Sequence, residues 1–382
     1  MRIFARLGLV VCLFGSVSGG QSAWAEKVVL QGVAPELEVV AELDERPSNI
    51  AVTISGEIIV SMNPYDKPKN KIVLIKKDGA VEPFPSAEWN DKEGPDAHAI
   101  GFTHVTGIRS TTRGTILVLD MGNEKHAPRF VEFDVLRRQV MTTRYIPRDF
   151  TTEQSYLQDF ALNWDINHAY VSDMGQLDPT QPAKPGLIDV DLNGGWMFRL
   201  MDGMPAIQPP EKPIMIGGKD LSVTKDGKDY PVRGALGPIT LDVLRDTMYF
   251  GPMGEGKLYK VPLSKMSDVT VDADTLAKRI EVVGDKPASA GITVDAEENV
   301  YITAIEKNEI GVIDKAGQYR SYIKDDRLQW ANGLAYAPNG YIYVTISRLN
   351  ELPMYNGGKE PAEKKPYLIA RFKPIAPAAV GR

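Results

Sequence analysis

The stretch VLDMGN (Val118–Asn123) returns as VSDMGQ (Val171–Gln176), 53 residues further on, and each time Asp-Met-Gly closes an apolar run. A phrase repeated at such an interval marks a repeated structural unit. Four other stretches share its plan: a small or polar residue, an apolar run, a polar turn, a second apolar run. The six copies start at Asn49, Gly107, Asp159, Pro238, Gly291 and Asn332. Measured between Ile50, Ile108, Phe160, Ile239, Ile292 and Leu334, their spacings are 58, 52, 79, 53 and 42 residues. Turns such as Ser55-Gly56 and Asn339-Gly340 predict two antiparallel strands per copy. The first strand is almost wholly apolar or small, as suits burial on both faces. A third strand follows in most copies, as in RFVEFDV from Arg129 and YLIARFK from Tyr367, and it alternates as a half-exposed strand does.

Six such units predict an all-β fold, a six-bladed β-propeller. LEVVAEL (Leu37–Leu43) has no repeat of its own. It is expected to complete the last blade beside YLIARF, which closes the ring and removes exposed sheet edges. The surplus length between the third and fourth copies lies in a long loop, Pro209–Arg233, placed to act as a lid. DADTLAKRI from Asp272 predicts no more than a short helix.

Residues 1–25 stand apart from this pattern. Arg2 and Arg6 precede an apolar run, Leu7–Val17, and Ala23-Trp24-Ala25 is a small-x-small cleavage site. Together they predict a cleaved signal peptide and a secreted or periplasmic product. Residues 26–382 then form a single propeller domain with no membrane insertion after cleavage. Removing the leader takes away the only cysteine, Cys12, and leaves 42 basic against 50 acidic residues. A net charge of −8 argues against nucleic acid as a partner. Without disulfides the fold rests on its apolar core, for which the chain is ample.

Strand direction alternates within a blade, so first strands begin and second strands end on one rim. That rim carries Asn49, Thr106, Asp120, Asp159, Asp173 and Asn332. Asn49, Asp159 and Asn332 would stand at the channel opening, where a polar group needs water, a ligand or a metal. Asp120 and Asp173 either join them around a ligand or cap the backbone of the following loop. Phe102 and Tyr156 precede first strands on the same rim and are candidates for an aromatic mouth, as is Trp330. Of the four histidines, His104 lies best for a general base. DVDLNGG from Asp189 opens like a calcium loop, but its twelfth position is Leu200 and it sits between two strands, so a hairpin is expected.

Several of these stretches resemble the major royal jelly/yellow family: TILVLDMGN with RFVEFDV, SYLQDFALNWDINHAYVSDMG from Ser155, MYFGPMGEGKLYKVP from Met248, and QWANGLAYAPNGYIYVTISRL from Gln329. The resemblance covers nearly the whole mature chain. It implies a secreted six-bladed propeller, in some members holding a small amine in the central channel. The insect members' cysteines are absent here, and their tautomerase activity is not carried over. A more distant resemblance is to the gluconolactonase/strictosidine synthase-like propellers, which implies Ca²⁺ in the channel and hydrolysis of lactones or esters. On that alternative Asp159, Asn332 and Asn49 are the metal ligands, although Asn49 stands where those propellers carry Glu. The expectation is a small-molecule ligand held at the channel mouth by Asn49, Asp159 and Asn332, with Asp120, Asp173, Phe102 and Tyr156 around it. The alternatives are the Ca²⁺-dependent hydrolase and a protein-interaction scaffold.

Overall fold

The computed structural model describes residues 35–381, apart from 92–93, 97, 166, 267, 269, 271 and 362–365. The expected signal peptide lies outside the described residues. Six four-stranded antiparallel sheets follow one another along the chain. Their innermost strands are Pro47–Val52, Val105–Ser110, Leu157–Asn163, Leu236–Asp242, Ser289–Val294 and Ala331–Tyr336. Each turns back into the second strand at the predicted place; blade two, for example, runs Val105–Ser110, Thr115–Asp120, Arg129–Asp134, Gln139–Tyr145.

The ring closes as expected. Blade six takes three strands from the C-terminal end, and its outer strand is Glu38–Leu43, paired antiparallel with Tyr367–Phe372. Arg46 adds a clasp beside that seam. It donates to Asp66 (2.7 Å) and Ser347 O (2.6 Å), and to Arg348 O, so blade one is tied to blade six through side chain as well as sheet.

The core lies between the blades. Val105, Ile108 and Val118 of blade two meet Ile59, Ile72 and Leu74 of blade one. On its other face Leu117, Leu119 and Phe130 meet Phe160, Val171 and Ile188 of blade three. Similar clusters join every neighbouring pair, including six to one. Each inner strand is therefore packed on both sides, which is why its sequence is apolar without alternation.

Every inner strand has a register shift near its start, between Pro47 and Ile50, Val105 and Gly107, Leu157 and Asp159, Leu236 and Ile239, Ser289 and Ile292, Ala331 and Leu334. A bulge re-aims side chains and bends the strand. Here six bulges stand at one level of the channel, at the residues expected to face it.

The face opposite that rim carries ordinary turns. DVDLNGG forms the expected hairpin: Asp191 accepts from Asn193 N (2.8 Å), and Asp189 is held by His168 Nδ1 (2.7 Å). The hydrogen bond that its ring donates to the Asp189 carboxylate raises the His168 pKa above its ordinary value. The charged imidazole therefore favours the fold below the unfolded histidine pKa of about 6.5, and that contribution is lost as pH rises through the higher folded value. A proton NMR titration of the His168 ring should give a midpoint above about 6.5, falling back towards it in Asp189→Asn. An unchanged midpoint in the variant would exclude this pairing.

Candidate functional site

The Asp-Met-Gly phrase has a local physical cause. Asp120 ends the second strand of blade two, and its carboxylate turns back to accept from Thr103 N, His104 N (2.9 Å) and Gly122 N. Gly122 then takes φ +70°, and a Cβ there would lie 2.2 Å from His126 O, so the turn needs glycine. Asp173 repeats the arrangement, accepting from Tyr156 N (2.8 Å), Gly175 N (2.9 Å) and Ser155 Oγ (2.5 Å), with Gly175 at φ +58°. Each carboxylate also has an arginine: the buried Arg129 for Asp120 (3.4 Å) and the half-buried Arg199 for Asp173 (2.7 Å). Blade four writes Pro252-Met253-Gly254 at this place. There the buried Lys286 ammonium bonds Gly254 O, Pro287 O and Ser289 Oγ, and burial lowers its pKa to about 7.

Asp120 and Asp173 are thus rim caps. Both are fully buried, and neither lines the cavity at the channel mouth. Phe102 also departs from expectation. It is fully buried between blades one and two, with its ring 4.9 Å from that of Trp89. His104 lies off the cavity too, its Nδ1 2.9 Å from Gly122 O, so its ring serves the loop.

The remaining candidates do converge. A cavity of about 140 Å³ opens at the mouth of the channel, and Asn49, Tyr156, Asp159 and Asn332 all line it. Its floor is polar. Asn49 Nδ2 donates to Asp159 Oδ1 (2.9 Å), although 110 residues separate them. Gly333 lets blade six close on blade one, since a Cβ there would lie 2.7 Å from Asn49 Oδ1.

Between these side chains lies a residue the sequence did not single out. Arg109 is two residues beyond the first turn of the bulge in blade two. Its Nη2 is 2.5 Å from Asp159 Oδ2, and its Nη1 donates to Asn49 Oδ1 (3.1 Å) and Ile108 O (2.8 Å). Its guanidinium also lies 5.6 Å from the centre of the Phe160 ring. Burial raises the Asp159 pKa above the ordinary carboxylate value, against the opposing pull of Arg109, Phe160 N and Asn49.

Three buried polar atoms of the cavity wall have no hydrogen-bond partner: Thr106 Oγ1, Gln158 Oε1 and Trp330 Nε1. Buried polar groups are seldom left so. Above them the wall is aromatic and soft. Tyr65 stacks on Tyr156 at 6.2 Å, and Trp330 on Tyr355 at 6.2 Å. Burial raises the phenol pKa of Tyr156 to about 12. Tyr65 and Tyr355 were not foreseen. Each sits in a Pro-initiated 3-10 turn in the loop after a second strand, Pro64–Asp66 and Pro353–Tyr355.

The Pro209–Arg233 segment covers one side. It forms two small hairpins, Met215–Ile216 with Lys219–Asp220 and Ser222–Lys225 with Lys228–Pro231. Ile214 and Leu221 plug into a cluster with Met253, Ala290 and Trp330, while Val223, Pro231 and Val232 face the cavity.

A calcium ion does not fit this floor as it stands. Ca²⁺ takes six to eight oxygen ligands, usually with several carboxylates. Here the one carboxylate, Asp159, is paired with Arg109, and Asn49 Oδ1 already accepts from Arg109 and from Ile50 N. Among the described residues no group of three or more His, Cys, Asp or Glu side chains is placed to hold a metal.

Similar folds are known. A luciferin-regenerating enzyme matches with a TM-score of 0.57 at 11% identity, covering 91% of this chain and 98% of that one. A calcium-binding protein, regucalcin, from Agrobacterium tumefaciens matches with 0.55 at 13%, covering 91% and 98%. A gluconolactonase from Xanthomonas campestris matches with 0.54 at 10%, covering 89% of each. At these identities the likeness shows the fold alone. No curated protein matches the sequence. The model of one family, the major royal jelly proteins, matches residues 113–364, which run from the second strand of blade two through blade five to the first two strands of blade six. With that match over well more than half its length, the chain belongs to the major royal jelly protein family.

Proposed function

We propose that this protein is an exported propeller that binds a small organic molecule at the mouth of its central channel. The observation that carries this reading is the cavity itself, with an aromatic wall, a polar floor and three unpartnered polar atoms between them. A volume of about 140 Å³ is close to that of an engineered cavity of about 150 Å³ that takes benzene. The ligand class that suits it has a flat or apolar body against Tyr65, Tyr156, Tyr355 and Trp330. Its polar end would reach Thr106, Gln158 and Asn332. The leader of residues 1–25 supports export. The Ca²⁺-dependent hydrolase alternative is the weaker reading, because Arg109 occupies the donors it needs.

Thermal unfolding of the mature protein against a panel of aromatic amines, aromatic acids and lactones tests the proposal. A ligand at 100 times its Kd stabilises the fold by about 2.7 kcal/mol. Tyr156→Ala should weaken each hit about tenfold through the lost stacking surface. Hits that bind Tyr156→Ala as tightly as the native protein would place the ligand elsewhere.

A further inference from the structure

Arg109 is unusual among the buried cations of this protein. Among the described residues, the buried Arg46, Arg129 and Lys286 each secure a loop on the rim by bonding backbone carbonyls. Arg109 instead joins side chains from three blades at the channel itself, its own blade two, Asn49 of blade one and Asp159 of blade three. Asn332 of blade six lines the same cavity. Without the guanidinium, what remains is a carboxylate and two amides facing one volume. These are hard oxygen donors, the chemistry that suits Ca²⁺ or Mn²⁺. With it, the carboxylate is neutralised and the amide of Asn49 is fixed at both ends, by Arg109 Nη1 and by Asp159 Oδ1.

We propose that Arg109 is a built-in replacement for a divalent cation: it organises the floor of the channel so that the site works without metal, and its removal uncovers a weak divalent-cation site formed by Asn49, Asp159 and Asn332. The charge balance supports this. One guanidinium matches one carboxylate, whereas a divalent ion there would leave the floor with an excess positive charge in a buried place. The geometry supports it too, since a single planar group reaches both Asp159 Oδ2 and Asn49 Oδ1. The inference stands apart from the identity of the organic ligand, and its test uses metal ions alone.

The experiment is calorimetric titration of chelator-treated mature protein with CaCl₂ and MnCl₂, on the native chain and on Arg109→Ala and Arg109→Gln. The native protein should show no saturable binding at millimolar metal and no change in unfolding temperature. Arg109→Ala should bind one ion with Kd of about 0.1–1 mM, the range of weak extracellular sites, and metal should raise its unfolding temperature. Arg109→Gln keeps most of the side-chain volume and adds an amide oxygen, so it should fold readily and bind as well. In either variant the further change Asp159→Asn should abolish the binding. If Arg109→Ala folds only when Ca²⁺ is present, that dependence supports the proposal. Saturable binding to the native protein that Asp159→Asn removes would overturn it. So would two folded Arg109 variants that bind no metal.

Discussion

Asp120→Ala should lower the stability of the fold by about 3–5 kcal/mol, the usual cost of removing one partner of a buried ion pair. Two losses combine. Arg129 has no exposed surface, and it would keep its charge with only the carbonyls of Ala99 and Gly101 as acceptors. The backbone N–H groups of Thr103, His104 and Gly122 would lose their acceptor. Asp120→Asn should cost less, because the amide oxygen still serves some of these donors. Denaturant unfolding monitored by tryptophan fluorescence would measure both, and the same substitution at Asp173 should behave alike. A cost below about 1 kcal/mol at both positions would contradict the cap assignment. Because the caps lie off the cavity, whatever fraction remains folded should bind ligand unchanged.

Asp159→Ala should be as costly, about 3–5 kcal/mol, and should also abolish ligand binding. It would strand the Arg109 guanidinium among Phe160, Ile108 and the amide of Asn49. The informative comparison is the double variant Arg109→Met with Asp159→Leu. Replacing both charges by apolar groups removes the unpaired ion, and buried pairs so replaced are often neutral in stability or better. The double variant should therefore be more stable than Asp159→Ala while remaining unable to hold ligand. If the costs of Arg109→Met alone and Asp159→Leu alone summed to that of the double change, the pair would not be a coupled unit. Stability and binding would separate cleanly here, which is the expected mark of a polar floor kept for function.

The architecture was legible because each level of it leaves a trace in residue pattern. Inner strands packed on both faces are apolar without alternation, outer ones alternate, and Gly-containing turns separate them. The closing strand was legible as an unmatched apolar segment, Leu37–Leu43. The site was legible in part. Asn49, Asp159, Asn332 and Tyr156 follow from their phase in the repeat. Phe102, Asp120 and Asp173 share the same phase, yet their side chains turn away from the channel. The reason is local: a carboxylate at a strand end has backbone N–H groups closer to it than the channel axis is. Arg109 was missed because a single charge in GIRSTT suggests an exposed position, whereas a charge inside a strand covered on both faces demands a buried partner. The two hairpins of Pro209–Arg233 escaped notice because strands of two to four residues carry too little alternation to register.

The join between Glu38–Leu43 and Tyr367–Phe372 has a consequence for how the chain is made. Blades two to five are each written in one continuous stretch and can pair their strands as they emerge. Blade six cannot, since its outermost strand is the earliest to be synthesised and its third strand is the last. Until the final residues are available the earliest strand has no neighbour, and the cluster around Ile50, Val52 and Val60 lacks Ile369 and the docked Ala41 and Leu43. A chain stopped shortly before Tyr367 would contain over nine-tenths of its residues and still leave blade six two strands short. The last strand thus acts as a completeness check, so truncated products should be recognisable to proteases as open rings.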